Sequence, residues 1–156
     1  MKRVWGTAKA LLGRVSGSAA GRGLTVYGDD VFLVSYPRSG NTWMRFLLYA
    51  LLHGDAPSSF ANVDHAIPGI YRHADRTLRR LPKPRILKSH EYFDPRYNRV
   101  IYLVRDPRDV LLSYYRYHLK LRRIDEGYPP DEYASLFVAG DLDGFGSWAQ
   151  NAGSWL

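Results

Sequence analysis

Val31-Phe32-Leu33-Val34-Ser35-Tyr36-Pro37-Arg38-Ser39-Gly40-Asn41-Thr42-Trp43 is the stretch that decides how this chain folds. It opens on a continuous apolar run, Val31 to Val34, of the kind carried by a strand covered on both faces. Pro37, Ser39 and Gly40 then supply turn chemistry. Met44, Phe46, Leu47, Leu48, Leu51 and Leu52 follow as the apolar positions of a helix, which Thr42 can cap and Gly54 can end. Strand, tight loop and helix in this order open an α/β unit.

Working outward, two further strands are legible. Arg85-Ile86-Leu87-Lys88 follows two prolines, and Val100-Ile101-Tyr102-Leu103-Val104 is a second fully apolar run. Asp106 and Pro107 open a helix expected over 108–122, with Pro107 suited to its first turn. Residues 130–138 and 145–155 read as two more short helices. Strands alternating with helices predict a three-layer α/β fold with a central parallel sheet flanked by helices.

Composition narrows the class. The 156 residues are 46% hydrophobic and 24% charged, the make-up of one globular domain. Without cysteine the chain has neither disulfides nor thiolate metal sites, and a reducing, cytoplasmic setting is expected. No apolar run reaches the length of roughly 18 residues that a membrane span needs. The formal net charge is +7, but Lys2, Arg3, Lys9, Arg14 and Arg22 lie in residues 1–23 without a single acid. The body carries too small a basic excess for a nucleic-acid-binding surface, so no nucleic-acid partner is expected. Val4, Ala8, Leu11, Leu12 and Val15 recur at helical spacing. Residues 1–23 are thus a basic leader or amphipathic helix, resting on the domain or making weak peripheral membrane contact through residues 1–16. The domain proper begins at 24.

Three places carry chemistry. In the first, Arg38-Ser39-Gly40-Asn41-Thr42 lies between a buried strand and a helix, where outward-facing backbone N–H groups favour an anion. Gly40 admits close approach, Ser39, Asn41 and Thr42 add donors, and Arg38 adds a full charge. An ordinary capping turn would use the same residues. A Walker A motif, with its lysine and magnesium logic, is absent. In the second, Arg105 sits at a strand end and Ser113 two turns into the next helix, with an Arg105–Asp109 ion pair as the plainer alternative. Asp106 and Asp109 fit the start of a helix better than a metal, so none is expected. In the third, Lys88 and His90 lie two apart at the end of a strand and share a face. Such a histidine can take a proton near neutral pH, and such a lysine can offset charge on a leaving oxygen.

Together these segments resemble the sulfotransferases that use 3'-phosphoadenosine 5'-phosphosulfate (PAPS). Phe32 to Trp43 is similar to the family's 5'-phosphosulfate loop, with Arg38 where a lysine is more usual. Arg105 to Ser113, continuing into Tyr114-Tyr115, resembles its 3'-phosphate segment. Lys88-Ser89-His90 falls where the family has its Lys-Thr/Ser-His tripeptide, and Phe145-Gly146-Ser147-Trp148 resembles its Gly-x-Trp segment.

The resemblance implies a P-loop-like version of the predicted fold and PAPS as sulfate donor without a metal. It also implies roles. Arg38 to Thr42 would hold the 5'-phosphosulfate, Trp43 would stack on adenine, and Arg105 and Ser113 would bind the 3'-phosphate. His90 would be the general base toward an acceptor hydroxyl on a small molecule, glycan or lipid, with Lys88 and Arg38 stabilising developing charge. The family's closing Arg-Lys-Gly…Gly segment has no counterpart before Leu156, so the domain is expected to be C-terminally incomplete, with Trp148, Trp155 and Leu156 forming an apolar face that has no partner in the chain. Two other readings stay open: a remnant that binds nucleotide or a partner without turnover, and a P-loop kinase acting on a small molecule.

Overall fold

The computed structural model describes residues 23–156, so the leader expected over residues 1–23 lies outside the described residues but for Gly23. In chain order the elements are β1 (Val31–Ser35), α1 (Asn41–His53), α2 (Phe60–Ala66), α3 (Asp75–Leu78), β2 (Ile86–Ser89), β3 (Arg99–Leu103), α4 (Pro107–Lys120), α5 (Pro130–Ala139) and α6 (Trp148–Trp155). The three strands form one parallel sheet in the order β2-β1-β3. Val31 lies opposite both Ile86 and Arg99, and Val34 opposite both Ser89 and Tyr102. The α/β fold and the parallel sheet are as the sequence predicts.

Residues alternate across β1, so Phe32 and Val34 share one face, where they pack with Leu24, Ile70, Leu78 and Leu87. Tyr97 stacks on Phe32 with ring centroids 3.5 Å apart. Past the end of β1, Tyr36 enters a second core with Val110, Tyr114, Tyr133, Phe137 and Leu142, which seats α4 and α5. Ser147 caps α6 through a capping box with Gln150.

Four local expectations are revised. β3 is the half-exposed edge of the sheet rather than a strand covered on both faces, and Val104 falls beyond it, exposed. The cap of α1 is Gly40, not Thr42, because Gly40 at φ 102 turns the chain directly into the helix. α4 ends at Lys120, and Arg122 leaves it at φ 52. The expected unpartnered tryptophans are covered. Trp148 packs against the second core, while Trp155 stacks on Tyr97 and Tyr102 and donates its indole N–H to Glu91 O at 3.1 Å. Leu156 alone of the three stays exposed.

The segment entering β1 is tied to the start of β2 by an ion pair that is fully excluded from water. Arg85 Nε donates to Asp30 Oδ1 at 2.8 Å, Arg85 Nη2 bonds both Asp30 Oδ2 and Thr25 O, and Asp30 also accepts from Tyr27 N at 2.7 Å. Removing one member of such a pair leaves the other charged and dry. Asp30→Ala is therefore expected to lower stability by about 3–5 kcal/mol in urea denaturation. A loss below about 1 kcal/mol would show that the pair is not what fixes β2 beside β1. Among the described residues no helix is long and apolar enough to cross a membrane.

Candidate active site

β2 and β3 flank β1 on opposite sides, so the chain reverses its direction of travel across the sheet at β1. Open parallel sheets bind ligands at such a switch, outside the carboxyl ends of the strands. A cleft of about 1840 Å³ opens there. Every residue to which the resemblance gives a nucleotide-binding or catalytic role lines it except Ser39, which is buried beneath the loop.

The loop after β1 bends tightly: Ser39 N donates to Tyr36 O at 3.3 Å, and Arg38 and Gly40 both take positive φ. A Cβ on Gly40 would meet nothing within 4 Å, so its left-handed backbone, not crowding, is what calls for glycine. The N-terminus of α1 has no side-chain cap. Asn41 instead turns back into the fold and donates to Leu33 O and Ser35 Oγ, each at 3.2 Å. Ser39 Oγ is buried without a hydrogen-bond partner. A hydroxyl left in that state costs about 1–3 kcal/mol, and the uncapped first turn of α1 beside it is a place that an anion favours. The loop therefore fits a phosphate or sulfate group.

His90 is held from several directions. Its Nδ1 lies 2.6 Å from Ser35 O, which can only accept, so Nδ1 carries the proton and Nε2 presents a lone pair. Its backbone N–H donates to Tyr71 Oη at 2.6 Å, and its carbonyl accepts from Asn151 Nδ2 at 3.1 Å. Tyr71 lies parallel to the imidazole and Phe145 meets it edge-on, with centroids 6.0 and 5.4 Å away. Burial among these rings, with Lys88 close by, pulls the His90 pKa down to about 3. Lys88 is also lowered, to about 8, by burial and then by Arg45 and Arg72.

At the β3 end, Arg38 Nε donates to Ser113 Oγ at 3.2 Å, and Arg105 Nη1 reaches Arg38 O at 3.4 Å. The Arg105–Asp109 pair exists too, at 3.6 Å, so both readings of this segment hold at once. Asp106 caps α4 and pairs with Arg108. No group of acids and histidines arranged to hold a metal occurs among the described residues.

Several cleft residues escaped the sequence reading. Of residues 55–84, only Tyr71 and Arg72 reach the cleft, while Ile67 and Ile70 are in the core and Phe60 packs on Phe46. Phe145, Leu142 and Asp143 form a wall instead. Asp143 accepts from Tyr114 Oη and from Phe145 N, and burial pushes its pKa up. Arg45 is buried and bonded to Ile67 O and Asp64, out of the cleft but close enough to act on Lys88. His118, given no role from sequence, is buried against Tyr133 Oη at 2.8 Å. The i, i+3, i+4 pattern alone does not distinguish these positions from ordinary core.

The sequence profile of the sulfotransferase domain matches residues 28–156. The chain belongs to the sulfotransferase-domain family. Human sulfotransferase 2B1 is 30% identical over 143 residues, spanning 82% of this chain and 38% of the relative. Sulfotransferase 1B1 of Canis lupus familiaris is also 30% identical, over 81% of this chain and 48% of its own length. Mouse sulfotransferase SULT7A1, solved in complex with PAP, superposes with a TM-score of 0.67 at 26% identity, covering 85% of this chain and 48% of that one. The chain thus spans between 38% and 48% of these sulfotransferases.

Long-range nitrogen–proton NMR of the His90 ring tests the site directly. The expected spectrum is a neutral Nδ1–H imidazole that stays unprotonated down to about pH 5, given a pKa near 3. An imidazolium at pH 6 would contradict the burial.

Proposed function

We propose that this chain transfers a sulfuryl group from PAPS to the hydroxyl of a small-molecule, glycan or lipid acceptor. One observation carries the reading: the Ser35 carbonyl fixes His90 so that a neutral Nε2 lone pair is available beside a lysine, at the end of a strand next to the uncapped first turn of α1. Membership of the sulfotransferase family and the likeness to a structure solved with PAP support it.

PAPS, as donor substrate, supplies an electrophilic sulfur on a mixed anhydride. His90 Nε2 takes the acceptor's hydroxyl proton as that oxygen bonds to sulfur, and the bond from sulfur to the bridging oxygen breaks. The leaving group is the phosphate of adenosine 3',5'-bisphosphate, whose added negative charge Lys88 offsets. Ser39, Gly40, Asn41 and Thr42 would hold the 5' end on the first turn of α1, Trp43 would stack on adenine, and Arg105 and Ser113 would bind the 3'-phosphate. Trp43 is 78% exposed, an open ring face suited to that stacking. The chemistry is positioning and electrostatics, as in phosphoryl transfer.

Transfer of labelled sulfate from PAPS to a panel of alcohols, phenols and sugars is the test. His90→Ala is expected to lower the rate by about 10²–10⁴-fold while adenosine 3',5'-bisphosphate binding stays within about twofold. Binding by the parent chain without transfer to any acceptor would instead make it a nucleotide-binding domain without turnover.

Lys88 gives a second expectation. Its cation is lost as pH rises through about 8, so the rate should fall on the alkaline side from there. In Lys88→Arg that fall should vanish, because a guanidinium stays charged. An unchanged alkaline limb in the variant would remove Lys88 from the reaction.

A further inference from the structure

The cleft keeps one acid that sulfuryl transfer leaves without a role. Basic side chains outnumber acidic ones along it. Of its acids, Asp125 and Glu132 stand exposed, after α4 and at the start of α5, whereas Asp143 is half-buried in the wall between α5 and α6. Asp143 Oδ2 accepts from Tyr114 Oη, and Oδ1 accepts from Phe145 N at 2.8 Å. A carboxylate offers about four lone-pair sites, so both oxygens keep accepting capacity. Among the described residues no basic side chain forms an ion pair with it. Burial pushes its pKa up, as expected for an acid kept half-dry without a cation. The same wall leads to the reacting histidine: Phe145, two residues on, meets the His90 ring edge-on with centroids 5.4 Å apart.

Resting on the sulfuryl-transfer reading above, we propose that Asp143 selects the acceptor by taking a hydrogen bond from a second hydroxyl, so that the substrate class is a polyol such as a sugar. One hydroxyl gives its proton to His90 while another, held by Asp143, fixes the orientation of the ring that carries both. A carboxylate only accepts, so the group it recognises must be a donor. An ammonium is the other candidate donor, but the basic excess of the cleft opposes it, with Arg123 acting on Asp143 itself. A neutral hydroxyl meets no such repulsion. Leu142 and Phe145 line the cleft on either side of Asp143 in the chain, which suits a ring with an apolar face and a hydroxyl edge. An alcohol with a single hydroxyl would take water from the carboxylate and return no bond, so it is rejected.

The experiment measures transfer of labelled sulfate from PAPS by the full chain to three acceptors built on one ring: cyclohexanol, cyclohexane-1,2-diol and myo-inositol. Compared per hydroxyl, kcat/KM of the parent is expected to favour the diol or the inositol over cyclohexanol by roughly 10- to 100-fold. Asp143→Asn should remove that preference, lowering the favoured acceptor by the same factor and leaving cyclohexanol within about threefold. Its binding of adenosine 3',5'-bisphosphate should stay within about twofold, which checks that it is folded. Tyr114→Phe disturbs the same hydrogen-bonded cluster but keeps the carboxylate, so it should keep the preference. Equal kcat/KM on all three acceptors in the parent would overturn the inference. So would an Asp143→Asn variant that keeps the preference or loses every acceptor alike, since either outcome makes the acid structural. Transfer to none of the three but to other alcohols overturns the inference and leaves the sulfuryl-transfer reading standing. Transfer to no alcohol at all overturns both.

Discussion

Three parallel strands end side by side because β1 is hydrogen-bonded on both edges, and the site depends on that constraint. With β2 and β3 in register on either side, the chain leaves the sheet at Ser35, Ser89 and Leu103 within one short row. A strand's last carbonyls have no ladder partner beyond it. Ser35 O is one of these, and it accepts from His90 Nδ1, which the adjacent strand delivers. The bond that satisfies the end of β1 thus also chooses the imidazole tautomer. Asn41 adds to the arrangement by tying the first turn of α1 back to Leu33 O and Ser35 Oγ. The loop after β1 and the histidine are two sides of one hydrogen-bonded corner.

The charges at this corner are arranged at a cost to the protein alone. Arg45 and Arg72 act on Lys88, Lys88 and Arg45 act on His90, and the largest influence on both Lys88 and His90 is burial. Burial disfavours a charged lysine and a charged histidine alike. For His90 the result is a neutral side chain at every physiological pH. For Lys88 it is an ammonium that is charged at neutrality and close to losing its proton. An anionic ligand in the cleft would oppose the cationic bias. The fold therefore prepares a place for negative charge instead of gaining stability from the one it has.

Much of this was legible in the sequence, because it rests on short-range features. The run Val31 to Val34, the turn residues after it and the pair Lys88 and His90 each announce their position within a few residues. What escaped depends on long crossovers. Phe145 meets His90 from a segment 55 residues away, and it carries no local pattern that separates it from core. The expected apolar face at Trp148 and Trp155 failed for the same reason, since Tyr97 and Tyr102 cover Trp155 from another part of the chain. Hydropathy carries Val104 into β3, yet the strand stops at Leu103, where pairing with β1 stops. The direction of Arg38 was beyond reach too, because a positive φ at a non-glycine residue leaves no mark in composition.

Central to the proposed function is that the loops after β1 and β3 form a single anion site. Amide hydrogen exchange with and without adenosine 3',5'-bisphosphate tests it most directly. Protection is expected to concentrate in residues 38–43 and 105–113 together, at the same nucleotide concentrations. Protection of one segment without the other, or of neither while the nucleotide binds elsewhere, would contradict it.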